Sequence, residues 1–257
     1  MRLQIKVTLR YVRRSGMRST KAMLFLVAAI SGSMTAEATN PIRVVRERFA
    51  NSKAIKLDLE AQEQLAKGDL ENAQRTVDLA LQADPDLWLT YFTRARIFVG
   101  QHKYESAIQD CNRVLLKYPK FIEAGLLRAQ ANAQLGRYAA SLSELDHIVR
   151  IRPHLDSYVR ALRQRAWFQS TCPDASFRNG QQAIQDAKTA CKLTYWKDCP
   201  SIDTLATAYA EAGDFDSAVR CEQQAISVNG VSAKASRHLQ QRLGLFEQHR
   251  PIRIPPT

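Results

Sequence analysis

Apolar and small residues recur along most of the chain with the spacing of amphipathic helices, and no stretch shows the strict alternation of a half-buried strand. Between Cys199 and Val228, small residues at Ala206, Gly213, Ala218 and Ala225 are interleaved with large ones at Leu205, Tyr209, Phe215 and Ile226. This predicts two short helices folded back on each other at Gly213-Asp214. One hairpin cannot bury its apolar face alone, and the pattern is repeated upstream. Gly68, His102 and Gly136 lie 34 residues apart, as do Pro85, Pro119 and Pro153. The same spacing joins Ala61, Ala95 and Ala129; Leu70, Tyr104 and Tyr138; Ala73, Ala107 and Ser141; and Ala80, Val114 and Ile148. Small residues belong where the two helices of a hairpin touch, large ones face the next hairpin, and proline ends the second helix because it lacks a donor and clashes with a further turn.

At these residues the chain resembles the tetratricopeptide repeat family, whose unit is about 34 residues long with this small-residue and proline pattern. The expected fold is all-α, a solenoid of helical hairpins with a C-terminal capping helix. Repeats are expected at 54–87, 88–121, 122–155, 156–198 and 199–232. The fourth is elongated, since 43 residues separate Asp156 from Cys199. Its helices, around Tyr158 to Phe168 and Gln181 to Leu193, are joined by QSTCPDASFRNG, whose Pro, Asp, Asn and Gly oppose helix. The motifs TCPD, FRNG, ACKLT, YWKD and DTLATAYAEAGDF also resemble a bacterial subfamily in which an elongated repeat precedes a regular one. Relatives of that kind often carry a protein kinase domain, but this chain has no Gly-rich loop, HRD or DFG, and kinase activity is not implied.

The ends differ from the repeats. Arg2, Lys6, Arg10, Arg13, Arg14, Arg18 and Lys21 precede an apolar run from Ala22 to Ile30 and small residues ending in Ala36-Glu37-Ala38. This is the layout of a secretory signal peptide over 1–38, with Met1 or Met17 as the start; the apolar run is short for a membrane span, and an uncleaved anchor is the alternative. Residues 39–53 form a lead-in. Export would place the protein in the periplasm or outside the cell, with no membrane span in the mature chain. The net charge of +12 then changes meaning, because the leader holds seven basic residues and one acid and takes half of it away. The remaining basic residues are neither clustered nor interleaved with aromatics, so nucleic acid is not expected as a partner. Residues 233–257 read as the capping helix, with Leu239, Leu243, Leu245 and Phe246 on or near one side, followed by an extended, mobile Pro-rich tail.

Candidate chemistry is sparse. Cys111, Cys172, Cys191, Cys199 and Cys221 include no C-x-x-C pair and no histidine at zinc-ligand spacing, so no metal or other cofactor is expected. Pairing among Cys172, Cys191 and Cys199 stays open in an exported chain. The five histidines are scattered over different repeats, and no nucleophile motif is present, so the chain is expected not to be an enzyme. Asp69 and Asp214 follow the hairpin turn, where a carboxylate caps the second helix.

Resemblance to tetratricopeptide repeats implies a concave groove lined by the second, fifth, ninth and twelfth residues of the first helices. These are Leu89, Phe92, Arg96 and Val99, then Glu123, Leu126, Gln130 and Ala133, then Ser157, Arg160, Gln164 and Trp167. Asp58 and Gln62 stand where tetratricopeptide co-chaperones hold a C-terminal carboxylate with lysine and asparagine, so a chaperone-tail clamp is not implied. Phe92, Arg96, Leu126, Gln130, Arg160, Gln164 and Trp167 are the candidate binding residues, for a protein or peptide rather than a small molecule. Two readings remain: a scaffold that seats partner segments in this groove, or an accessory subunit of an envelope or enzyme assembly whose active site lies in its partner.

Overall fold

Helices account for nearly all the regular structure. The computed structural model describes residues 53–228 and 232–254, which contain eleven α-helices, one 3-10 turn and no strand. The leader expected over 1–38 and nearly all of the lead-in lie outside these residues. The helices are α1 (Lys53–Ala66), α2 (Leu70–Ala83), α3 (Trp88–Gly100), α4 (Tyr104–Lys117), α5 (Ile122–Gln134), α6 (Tyr138–Ile151), α7 (Leu155–Thr171), α8 (Gly180–Leu193), α9 (Cys199–Glu211), α10 (Phe215–Ser227) and α11 (Ala233–Glu247). They pack as five consecutive hairpins, and the first helices α1, α3, α5, α7 and α9 also touch in succession, which puts them on the inner side of the curve.

The small-residue columns explain the packing. Ala61, Ala95 and Ala129 are wholly buried, as are Ala73 and Ala107 across each hairpin, and a larger side chain there would hold the helices apart. The turns rely on a left-handed residue: Gly68, Gly136 and Gly213 have φ of 80°, 71° and 83°, and His102 takes the same role at 59°. Asp69 and Asp214 then cap the following helices, accepting from the amides of Asn72 at 3.2 Å and Ser217 at 3.0 Å. Side-chain hydrogen bonds from Asn72 and Ser217, and then these amide bonds, hold both carboxyls below the usual range.

A ladder of ion pairs runs through the stack. Arg94 on α3 donates from Nε and Nη2 to Asp110 on α4 at 2.7 and 3.0 Å, and from Nη1 to Asp78 on the preceding α2 at 3.5 Å. Arg128 does the same to Glu144 at 2.8 Å, with Nη1 on Asn112 at 2.7 Å. Arg165 grips Asp186 at 2.7 and 2.8 Å and Asp146 at 2.8 Å. Each arginine thus closes its own hairpin and reaches back to the one before. In the last hairpin Leu205 and Cys221 stand at the equivalent helix positions, and the ladder ends. One residue on, Glu222 is fully buried in a column otherwise filled by Val77, Cys111, Leu145 and Ala187. Its carboxyl lies beside Asp203 without a well-formed hydrogen bond to any described residue.

Two expectations are corrected. The inserted loop is shorter than the sequence implies, because α7 continues through Gln169, Ser170 and Thr171. Hydroxyl bonds from Ser170 to the Ala166 carbonyl and from Thr171 to the Trp167 carbonyl satisfy both side chains within the extra turn. The remaining loop holds a 3-10 turn at Ala175–Phe177, and Asn179 caps α8 by accepting from Gln182 at 3.0 Å. The tail, in turn, is anchored rather than mobile over 251–254: Ile252 packs on the cluster around Phe246, and the Ile254 amide donates to the Thr171 carbonyl at 3.1 Å. Residues 255–257 lie outside the described residues. All five cysteines are free. Burial pushes the thiols of Cys111 and Cys191 up to about 12 and that of Cys221 to about 11, as expected of thiols packed as small apolar residues.

Candidate binding groove

The inner face carries a cavity of about 500 Å³. Its floor is apolar: Leu126 is buried at the centre, Phe92 meets Phe121 edge-on at 4.9 Å, and Trp167 lies under the Arg242 guanidinium at 4.8 Å. Arg96, Gln130, Arg160 and Gln164 complete the lining, so all seven candidate residues surround one space. Gln164 is held in place by donating to the Leu126 carbonyl at 2.8 Å, which leaves its amide oxygen for other contacts. Glu123 and Ala133 also line the space, but Leu89, Val99 and Ser157 do not. Leu89 is buried, Val99 packs in the cluster around Ala95, and Ser157 donates to Glu123 at 2.9 Å.

The groove's charges are unequally satisfied. Arg163 pairs with Asp198 at 3.1 Å, Arg242 pairs closely with Asp203, and Arg160 reaches Glu123 only at 4.0 Å. Arg96 makes no ion pair with the described residues. Partial desolvation, and then the repulsive charge of Arg160, push its guanidinium below the usual range. Asp58 offsets part of this at Arg96 and Glu123 part of it at Arg160, and the two neighbouring cations still leave the middle of the groove electropositive.

Three contributions at the C-terminal end escaped sequence reasoning. Arg242 comes from the capping helix, Asp203 and Thr204 come from α9, and Ile254 comes from the tail. None belongs to α3, α5 or α7, the three first helices whose groove residues the resemblance supplied. A helical wheel of α9 would have placed Asp203 at the position of Phe92 and Leu126, but nothing periodic marks Arg242 or Ile254. Among the described residues no three His, Cys, Asp or Glu side chains converge as metal ligands, and no helix is long and apolar enough to cross a membrane.

Residues 98–166 match the family model of the tetratricopeptide repeat. Within these residues the repeats are tetratricopeptide repeats. Human serine/threonine-protein phosphatase 5 is 27% identical over 105 residues, which is 41% of this chain and 21% of that protein. A tetratricopeptide repeat and J domain-containing co-chaperone of Cryptococcus neoformans, DNJ1, is 27% identical over 142 residues, 55% of this chain and 25% of that protein. The chain thus spans a quarter or less of these relatives' length. Among solved structures, a thermophilic tetratricopeptide protein of Thermus thermophilus superposes with a TM-score of 0.63 at 17% identity, covering 76% of this chain and 99% of that one. Yeast Tom70 superposes at 0.59 and 13%, covering 87% and 46%. The fold is therefore that of tetratricopeptide solenoids, which serve as protein-interaction scaffolds.

Proposed function

We propose that this tetratricopeptide solenoid is an exported, non-enzymatic scaffold that seats an extended or helical segment of a partner protein in its concave groove. The segment carries an apolar anchor for the floor of Phe92, Leu126 and Trp167 and an acidic residue for Arg96 and Arg160. One observation carries this reading: Arg96, which makes no ion pair within 4 Å among the described residues, stands beside Arg160 over an apolar floor, in a cavity large enough for several side chains. An acidic group entering there recovers part of the interaction energy that the two cations lack.

Capture from envelope extract tests it. Arg96→Glu with Arg160→Glu is expected to weaken retention of a captured partner about tenfold, equivalent to about 1.4 kcal/mol, while leaving the melting temperature unchanged. Binding to the unaltered chain should fall as salt is raised. Undiminished retention by the double variant would move the interface off the groove, and a stoichiometric complex with an enzyme would favour the accessory-subunit reading.

Export is the second part of the proposal, supported by the basic, apolar and Ala-x-Ala order of 1–38. Protein isolated from the native envelope or medium is expected to begin at Thr39 by mass spectrometry. An intact N-terminus would instead favour a membrane anchor.

A further inference from the structure

Beyond α11 the chain turns back along the solenoid. The Arg250 amide donates to the Leu245 carbonyl at 2.9 Å, and His249 stacks on Phe215 at 5.0 Å with the rings 5° apart, which sets the direction of exit. Three kinds of contact then hold the next residues. Ile252 packs on the Phe246 cluster. Arg253 pairs with Glu211 at 2.6 Å and donates to the Ser170 carbonyl at 3.3 Å. The Ile254 amide donates to the Thr171 carbonyl at 3.1 Å, while its side chain lines the groove cavity and a smaller space beside Tyr138, Phe168 and Cys172.

A main-chain bond, an apolar side chain in a niche and a matched charge are the means by which a groove holds an extended peptide. The receiving groups are well suited to it. Ser170 and Thr171 are buried, and their carbonyls at the end of α7 have no partner further along that helix. Glu211 already holds Arg178 through Oε1 at 3.0 Å and offers Oε2 to Arg253. Because α11 delivers the segment to this place, the contacts form at high effective concentration, and each can be weak.

We propose that Pro251–Ile254 is bound as a peptide ligand is bound, along the ends of α7 and α9 with Ile254 occupying the C-terminal end of the groove, and that a partner segment extending past Trp167 must displace it. The competition rests on the groove reading above; the occupancy does not.

The test needs no outside partner. A fluorescein-labelled peptide HRPIRIPPT, residues 249–257, is titrated against the full chain and against the full chain carrying Arg253→Glu with Ile254→Asp. The variant places an acid opposite Glu211 and another on the apolar wall, so its own tail should leave. It is expected to bind the peptide saturably at one site, and the unaltered chain at least tenfold more weakly. Equal binding to both, or none to the variant while its melting curve stays cooperative, would overturn the proposal. The milder Arg253→Ala gives a second reading through hydrogen exchange, in which the protected Ile254 amide should exchange at least tenfold faster. An unchanged rate would overturn the proposal, as would a dimer of the unaltered chain whose dissociation frees that amide, since the tail would then sit in a second copy. Failure to capture a partner from extract would sink the proposed function and leave these outcomes intact.

Discussion

Replacing Arg165 with alanine is expected to cost about 3–5 kcal/mol of folding stability, read from urea or thermal denaturation. The loss comes less from the missing attraction than from what is left behind. Asp186, only 5% exposed at its side chain, would keep a carboxylate in the core with its bidentate partner gone. Asp146 on the preceding hairpin would lose its contact as well. Arg165 is the most buried of the three ladder arginines, at 13% against 22% for Arg94 and 29% for Arg128, so its removal should cost most. The control is Arg165→Met with Asp186→Leu, expected to restore most of the stability because no buried charge is stranded, Asp146 being 41% exposed at its side chain. Arg75→Ala, which removes a pair with both side chains largely in solvent, should cost less than about 1 kcal/mol. A loss below 1 kcal/mol for Arg165→Ala would mean that the ladder is not an energetic feature of the stack.

Glu222→Gln is expected to act in the opposite direction and to do so only above acid pH. Burial, and then the charge of Asp203, push the Glu222 carboxyl from its ordinary 4.5 up to about 9. Between those values the folded chain keeps a proton that the unfolded chain has released. Stability associated with this group is therefore fully present below about pH 4.5 and is lost progressively as pH rises toward 9. At about 1.4 kcal/mol per pH unit, the deficit at pH 7 is on the order of 3 kcal/mol. Glutamine keeps the shape of the protonated acid without that penalty, so the variant should be more stable than the parent at pH 7 and nearly equal to it at pH 4. A gain of the same size at both pH values would assign the effect to packing. Asp203 is also pushed up by burial, in spite of Arg242, so the parent's pH dependence should not vanish entirely in the variant.

Why the period was legible and these groups were not follows from the kind of constraint each obeys. Ala61, Ala95 and Ala129 meet a steric demand that recurs wherever two helices cross closely, so it is written into sequence at a fixed interval. The groove columns came from the resemblance to tetratricopeptide repeats, which says which face of each first helix turns inward. Two rungs of the ladder were legible by the same logic, since Arg94 and Arg128, and Asp110 and Glu144, are each 34 residues apart. The third stands 37 residues after Arg128, at Arg165, and 42 after Glu144, at Asp186, so in the elongated repeat the column loses its regularity. Glu222 could have been found as a carboxylate in the register of Val77, Cys111 and Leu145. Its proximity to Asp203 depends on the last hairpin alone. The contact between Ile254 and Thr171 spans 83 positions and has no counterpart in any other repeat, so no local pattern announces it.

The returning tail also bears on how the molecule comes apart. In a stack whose units touch only their neighbours, the outermost unit is held at one interface and melts first, followed by the next. Here the last link of the chain is fastened back to the end of α7, so α8 through α11 lie within a loop closed at both ends. None of these helices forms a free end. Opening any of them draws on the anchor at Thr171, so the C-terminal part is expected to unfold as one block, and lifting the tail should turn that block into a margin that melts unit by unit.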